Sequence, residues 1–427
     1  MKEYDLIVIG SGPGGQRAAV QSAKIGKKVA VIEQQKVVGG VTAHTGTIPS
    51  KTLREAVLYL SGWKQKAIYG RSYRVKSEIT LEDLMHRLNV TVEQQIEIIR
   101  HQLERNGVQL INGHASFVDA NTVRVIEPGD KEAHYKANKI VIATGTTPSR
   151  PEGIPFNEDN ILDSDGILKL NRLPRSITVI GAGVIGVEYA TIFSALDTKV
   201  TLVDGRRTML DFVDEAIVDY FKHDLTSRGI NLRLGETLVS ITEQDDGKVV
   251  VNLQSGRRVV SDMVMVAAGR IGSTEKLNLE AAGVKIDERK RLVVDEFYRT
   301  NVPNIYAVGD VIGFPALAST SAEQGRMAAC HAFGIKIHHA PELFPFGIYA
   351  VPEISMVGKT ERQLQKEGVA YETGVARMRE IARGQIQGGA DGILKLIFDL
   401  KSEKLLGVHI IGEAATELVH IGQAVIA

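Results

Sequence analysis

The sequence predicts an α/β chain of two parallel-sheet βαβ domains followed by a C-terminal α+β module. Three observations carry this. A glycine-rich pattern occurs twice, as LIVIGSGPGG at residues 6–15 and ITVIGAGVIG at 177–186. Each copy follows a β-branched strand, opens a helical stretch and leads to a second strand ending in an acid, KVAVIE at 28–33 and KVTLVD at 199–204. Beyond residue 346 this punctuation stops and strand patterns such as GILKLIF at 392–398 take over.

The elements follow in order. Each glycine triplet, Gly10, Gly12 and Gly15 or Gly181, Gly183 and Gly186, has the GxGxxG spacing. In a strand–turn–helix setting the first glycine makes the tight turn, the second lets backbone N–H groups approach a pyrophosphate, and the third lets helix pack on strand. Glu33 and Asp204, 18 residues beyond the third glycine in both copies, are the expected acceptors for an adenosine ribose. Residues 51–107 have the spacing of amphipathic helices. Strands resume near 108–111 and end at KIVIATG, 139–145, before the proline-rich TPSRPEGIP of 147–155, which reads as a domain crossing. The strand DMVMVAAGR, 262–270, ends in a similar turn. The expected domains are therefore 1–150 with 272–345, 151–271, and 346–427. The pattern of IGQAVIA at 421–427 stops in mid-helix, so the last module is expected to be truncated.

Composition excludes several classes. Among 427 residues, 51 Lys and Arg balance 51 Asp and Glu, so no basic field points to nucleic acid or an anionic membrane. No apolar run reaches the roughly 18 residues of a membrane span. The N-terminus has no signal-peptide pattern, and a cytoplasmic location is expected. The single cysteine, Cys330, rules out an intramolecular disulfide, a CxxC pair and a cysteine zinc site, and is expected to be a buried small hydrophobe. No histidine spacing suggests a metal.

On these motifs the chain resembles the two-dinucleotide-binding flavoprotein disulfide reductases, the group of lipoamide dehydrogenase and glutathione reductase. TNVPNIYAVGD at 300–310, the turns at Thr144-Gly145 and Gly269, and VPEISMVGKTE at 351–361 match the same family. The resemblance implies Rossmann-like FAD and NAD(P) domains plus an interface domain, hence a homodimer or a larger oligomer. It also implies FAD contacts at Gly40, Thr42, Lys51, Thr144, Gly145, Gly309, Asp310, Leu317 and Ala318, and NAD(P) contacts around the second triplet, Glu188 and Gly269.

The chain departs from the family at its redox cysteines. In GGVTAHTGTIPSK, 39–51, Thr42 and Thr47 stand at the two cysteine positions, and a hydroxyl can form neither a disulfide nor a charge-transfer thiolate. With His44, the variant GTIPSK resembles the soluble, Si-specific pyridine nucleotide transhydrogenases, which exchange hydride between NADPH and NAD through FAD. That resemblance implies an NAD(P)+ transhydrogenase working by ping-pong exchange through the flavin, with NAD and NADP entering as exchanging substrates. The alternatives are an NAD(P)H oxidase or diaphorase and an inactive flavin-binding dimeric scaffold. Lys51 and Glu188 are implied to pair beside flavin N5, where a cation stabilises the reduced ring, and Thr47 is a further contact candidate. His44 and Thr45 carry no catalytic assignment. Asp204 favours the free 2′-hydroxyl of NAD, while Arg206 and Arg207 could neutralise a 2′-phosphate, so one pocket could take both coenzymes.

Overall fold

A computed structural model describes residues 1–70, 72–337, 343–388 and 391–427. It divides into two compact units, Met1–Ser50 with Leu88–Ser149 and Arg270–Ala340, and Lys51–Arg87 with Arg150–Gly269 and Pro341–Ala427. Part of the expected 272–345 segment, residues 338–342, lies outside the described residues.

The first unit is built on one sheet. Its strands run Gln109–Asn112, Val29–Glu33, Lys2–Ile9 and Lys131–Ile142 in parallel, with Ile305–Ala307 also parallel to the last of these. Thr122–Glu127 and His114–Phe117 extend the sheet antiparallel. Alternation along the first strand separates two cores. Ile7 and Ile9 pack with Phe117, Val123 and Val125, whereas Leu6 and Val8 pack with Ala18, Ala19, Ala328 and Ala329 of two helices. Those helices, Pro13–Lys24 and Ala318–Ala332, approach closely because both present glycine at the crossing: a Cβ on Gly325 would lie 2.0 Å from the Gly14 carbonyl oxygen. Proline at the first position of the Pro13–Lys24 helix suits its start, since the N–H it lacks has no helical partner there.

In the second unit, five parallel strands run in the order Asn231–Leu234, Lys199–Asp204, Ser176–Ile180, Met263–Val266 and Ile161–Asp163. The helix Val184–Ala195 is apolar nearly all round and almost wholly buried, as expected for a crossover covered on both faces. An antiparallel meander, Leu238–Glu243, Val249–Leu253 and Arg258–Ser261, packs Val249, Val251 and Leu253 onto Val203, Val264 and Val266 of this sheet. Residues 51–87, which the sequence reading keeps with 1–150, cluster here because Leu53, Leu84 and Met85 line a small apolar cleft with Ile192, Phe193 and Leu196.

The C-terminal part of the same unit is an antiparallel sheet in the order Phe346–Ile348, Glu353–Gly358, Leu405–Gly412, Ile393–Asp399 and Tyr371–Arg377. The helix Ala415–Ile426 buries Ala415 and Val419 against its Val357, Val408 and Ile410. No described helix is long and apolar enough to cross a membrane.

Candidate active site

Each glycine triplet sits on the turn between a parallel strand and a helix, and the two copies repeat the same stereochemistry. Gly10 and Gly181 have φ of 101° and 106°, and a Cβ at either would lie 2.4 Å from the carbonyl oxygen of Ala143 or Ala267. A Cβ on Gly15 would lie 2.0 Å from the Gly10 oxygen, and one on Gly186 1.8 Å from the Gly181 oxygen. These four positions are therefore fixed by the fold. Gly12 and Gly183 differ. Both have ordinary extended φ and ψ at the helix N-cap, and a Cβ at either would meet no protein atom within 4 Å. Nothing in the protein requires glycine there, whereas a ligand approaching the helix N-terminus would.

The acids also repeat. Glu33 Oε2 accepts the Ser11 N–H at 3.0 Å and Asp204 Oδ2 the Ala182 N–H at 2.7 Å, so each braces the residue after the first glycine of its own triplet. The sequence reading gave these acids only a ribose to bind; the structure adds a role in holding the loop. It also adds Ser11, whose hydroxyl donates to Glu33 at 2.6 Å and accepts the Gly39 N–H at 2.9 Å. As the middle residue of GSG, Ser11 carried no pattern that marked it.

Around the first triplet, a Cβ on Gly40 would lie 2.9 Å from Gly12 Cα, so the short helix Gly40–His44, which carries Thr42, begins against the glycine loop. Inside that segment the His44 ring nitrogen Nε2 is 3.0 Å from the Val38 carbonyl, a local tie. Gly145 takes a φ of 67° and accepts the Ser273 N–H, and the neighbouring Thr144 hydroxyl is buried with no hydrogen-bond partner among the described residues. Gly309 donates its N–H to Gln324 at 2.8 Å. Burial pushes the Asp310 carboxyl above its usual range, outweighing the Arg270 charge and the Ser321 hydroxyl that favour its ionised form. Leu317 is the N-cap of the helix that begins at Ala318. An open Gly12, an orphaned Thr144 hydroxyl and a poorly solvated Asp310 are what a dinucleotide with a polyhydroxylated chain would satisfy, so these residues fit FAD.

In the second unit Lys51 lies on the helix Thr47–Leu60, four residues from Thr47 and so on the same face. Its ammonium is 2.9 Å from Glu188 Oε1, 2.7 Å from Oε2 and 5.0 Å from the centre of the Tyr349 ring. Glu188 is 4% exposed and also accepts the Tyr349 N–H at 2.8 Å. Arg54, one turn beyond Lys51, donates to the Ala350 carbonyl at 3.1 Å and pairs with Glu353 at 3.2 Å, fixing the strand entry that carries Tyr349. Tyr349 lies in no motif, and Arg54 and Glu353 carried no assigned role in the sequence, Glu353 being only one residue of the family-like stretch 351–361.

Arg206 folds back on Asp204. Its Nε is 3.1 Å from Oδ1 and its Nη2 3.0 Å from Oδ2. Burial alone would raise the Asp204 pKa, but hydrogen bonds from the Arg206 side chain and backbone and from Ala182 together hold the carboxyl below its ordinary value. Arg207 is exposed and has no carboxylate partner among the described residues. Gly269, φ 98°, ends the strand Met263–Val266 region as an exposed turn. Cys330 is buried on the helix Ala318–Ala332.

Two dinucleotide folds and a C-terminal antiparallel sheet define the class. A family model described as pyridine nucleotide-disulphide oxidoreductase matches residues 4–325, and one for the dimerisation domain of the same proteins matches 344–427. The chain belongs to the pyridine nucleotide-disulphide oxidoreductase family. It is a flavoprotein oxidoreductase with FAD as cofactor and NAD(P) as substrate. A soluble pyridine nucleotide transhydrogenase of Mycobacterium tuberculosis is 52% identical over 426 residues, covering 100% of this chain and 91% of that protein. Those of Photobacterium profundum and Colwellia psychrerythraea are 44% and 41% identical, each over 99% of this chain, with 90% and 91% of the relative covered. Among solved structures, the HOCl-induced flavoprotein disulfide reductase RclA of Escherichia coli superposes with a TM-score of 0.89 at 28% identity, covering 99% of this chain and 93% of that one. LpdA of Mycobacterium tuberculosis superposes with a TM-score of 0.91 over 100% and 93% of the two chains; at 24% identity it speaks to the fold alone.

Proposed function

We propose that this chain transfers hydride between NADPH and NAD by ping-pong exchange, with no thiol step. The observation that carries the reading is that Thr42 and Thr47 occupy the family's two cysteine positions while both glycine fingerprints and the Lys51–Glu188 pair are intact. The names of the relatives at 41–52% identity support the same activity.

Bound FAD supplies a two-electron carrier that accepts hydride from one nicotinamide and yields it to another. The protein's part is binding and electrostatics. Glu188, fixed by the Tyr349 N–H, holds the Lys51 ammonium with both carboxylate oxygens, and that cation would stabilise the negative charge that the ring system gains on reduction. Thr47, on the same helix face, is a contact for that ring. Gly183 opens the second helix N-terminus to a pyrophosphate, and Asp204 takes the ribose of NAD. Arg206 gives the one pocket its second coenzyme: paired with Asp204 it leaves a net neutral ribose subsite, and turned outward beside Arg207 it faces a 2′-phosphate. A single exchangeable pocket requires the first coenzyme to leave before the second enters. We assign the working form as a homodimer, supported by the dimerisation-domain match at 344–427, and place it in the cytoplasm on the sequence pattern alone.

The test is an anaerobic assay with FAD-loaded protein, NADPH and a spectrally distinct NAD analogue. Sustained reduction of the analogue, with initial-rate plots parallel as either substrate is varied, is the expected result. Bleaching of the flavin by NADPH with no reduction of the analogue would overturn the reading.

A further inference from the structure

Opposite the coenzyme end of the second unit's parallel sheet lies a cavity of about 850 Å³. It is lined at one end by Ser176, Lys199 and Asp262, which stand at or just before the first residues of three parallel strands. Gly181 follows, and Asp204 forms, the other end of two of these strands, about 16 Å away at roughly 3.3 Å per residue. In open parallel sheets the nucleotide lies outside the carboxyl ends of the strands, so this cavity is no part of the coenzyme pocket.

Its walls are cationic. Arg74, Lys76, Arg175, Lys199 and Lys248 line it against only two carboxylates, Asp197 and Asp262. Some of this charge is already matched: Arg74 pairs with Asp197, Lys76 holds both oxygens of Asp83 at 2.6 and 2.7 Å, and Lys248 lies 3.8 Å from Asp246. Asp262 is spent on the Ser176 N–H and hydroxyl, at 2.8 and 2.9 Å. Arg175 and Lys199 have no ion pair among the described residues, and the Lys199 N–H donates to the Arg175 carbonyl at 3.0 Å, so the two residues are backbone neighbours on one lining. Ser61, on the same lining, is 1% exposed, and its hydroxyl is buried without a partner among the described residues. Two cations without an ion pair and a buried hydroxyl without a partner, all on one cavity lining, would be met together by an anion with several acceptor oxygens.

We propose that this cavity is a binding site for a small, multiply charged phosphate anion, separate from both dinucleotide sites. Its volume lies within the roughly 300–1,000 Å³ of small-molecule sites. Lysine and arginine approaching from the 74–77 loop, the strand starts and Lys248 of the meander suit a group with oxygens on all sides better than a planar carboxylate does. The inference stands apart from the hydride-transfer reading and needs no catalytic residue.

The experiment is calorimetric titration of FAD-loaded protein, saturated with NAD, with inorganic pyrophosphate at fixed ionic strength and with sulfate as control. Saturable binding of one pyrophosphate per chain in the submillimolar range is expected. The double variant Arg175→Gln/Lys199→Gln, both exposed positions, should weaken it about 100-fold, since each lost charge-assisted contact carries roughly a tenfold factor. Lys248→Gln, on a separate strand connection, should weaken it by a smaller factor and serves if the double variant misfolds. Binding indistinguishable from sulfate, unchanged in these variants, or abolished by NAD saturation would overturn the proposal.

Discussion

Glu188 gives both carboxylate oxygens to one ammonium, that of Lys51, and still accepts the Tyr349 N–H through Oε1. A carboxylate so desolvated is stable only while the cation is present, so the two side chains act as one group. Glu188→Gln keeps the shape and removes the charge. The rate at which NADPH bleaches the flavin, followed by rapid mixing, should fall about 100-fold, the usual effect of losing one preorganised electrostatic group. FAD content should stay at the wild-type level. Lys51→Met should slow the same step to a similar degree, and the double variant should be no slower than the worse single one. Additive losses would show that the residues act separately.

The two classes of glycine predict two classes of variant. In Gly183→Ala the new methyl meets no protein atom, so unfolding stability should stay within about 1 kcal/mol, the range of helix N-cap exchanges. Its affinity for both coenzymes should nevertheless drop, because the methyl occupies the approach to the helix N-terminus. Gly186→Ala drives a methyl to 1.8 Å from the Gly181 oxygen and should destabilise the second unit itself. Thermal melts read beside coenzyme titrations separate the two cases. Unchanged coenzyme affinity in Gly183→Ala would remove that loop from the binding site.

Arg206 divides its attention between Asp204, at 3.0 Å, and Asp211, at 3.7 Å. Arg206→Ala should raise the KM for NADPH by about 10- to 100-fold, the equivalent of a lost charged hydrogen bond, while the KM for NAD changes severalfold at most. Initial rates with each coenzyme against a fixed dye acceptor measure both. Equal effects on the two would assign Arg206 to the loop alone.

These residues also show how far the sequence could be read. Gly10, Gly15, Glu33 and their counterparts were legible because a βαβ turn fixes their spacing within one local segment, where periodicity and glycine placement carry the information. Lys51 and Glu188 were found only through resemblance, being 137 residues apart. Tyr349 and Arg54 were not found. Their contribution is a backbone N–H and a guanidinium on a carbonyl oxygen, and neither demands a distinctive neighbour. Ser11 shows the same limit at short range, since a serine between glycines serves equally well in any turn. The compact grouping of 51–87 with the second unit was illegible for a different reason: Leu53 and Met85 have ordinary amphipathic spacing, which tells that a face is buried but not against what.

Lys395 tests the C-terminal sheet independently of catalysis. Its side chain is 3% exposed, with Nζ 2.7 Å from Asp214 Oδ1 and paired also with Glu361. Asp214 caps the helix Glu215–Ser227, and Glu361 opens the helix Glu361–Glu367, so one ammonium ties the strand Ile393–Asp399 to two helix starts. Burial opposes the charge, but hydrogen bonds and attraction from Asp214 and Glu361 prevail and hold the Lys395 pKa above its ordinary 10.5. A raised folded-state pKa contributes stability that is complete below the unfolded value and is lost as pH rises through the folded one. Lys395→Met should therefore cost about 3–5 kcal/mol near neutrality, because it strands the buried carboxylate of Asp214. The gap between wild type and variant should hold steady up to about pH 10 and narrow above 10.5. Adding Asp214→Asn and Glu361→Gln to Lys395→Met should recover part of the loss by removing the stranded charges. Denaturant melts across that pH range measure both effects, and a gap that widens above pH 10.5 would contradict the assignment of Lys395 as a charged member of the cluster.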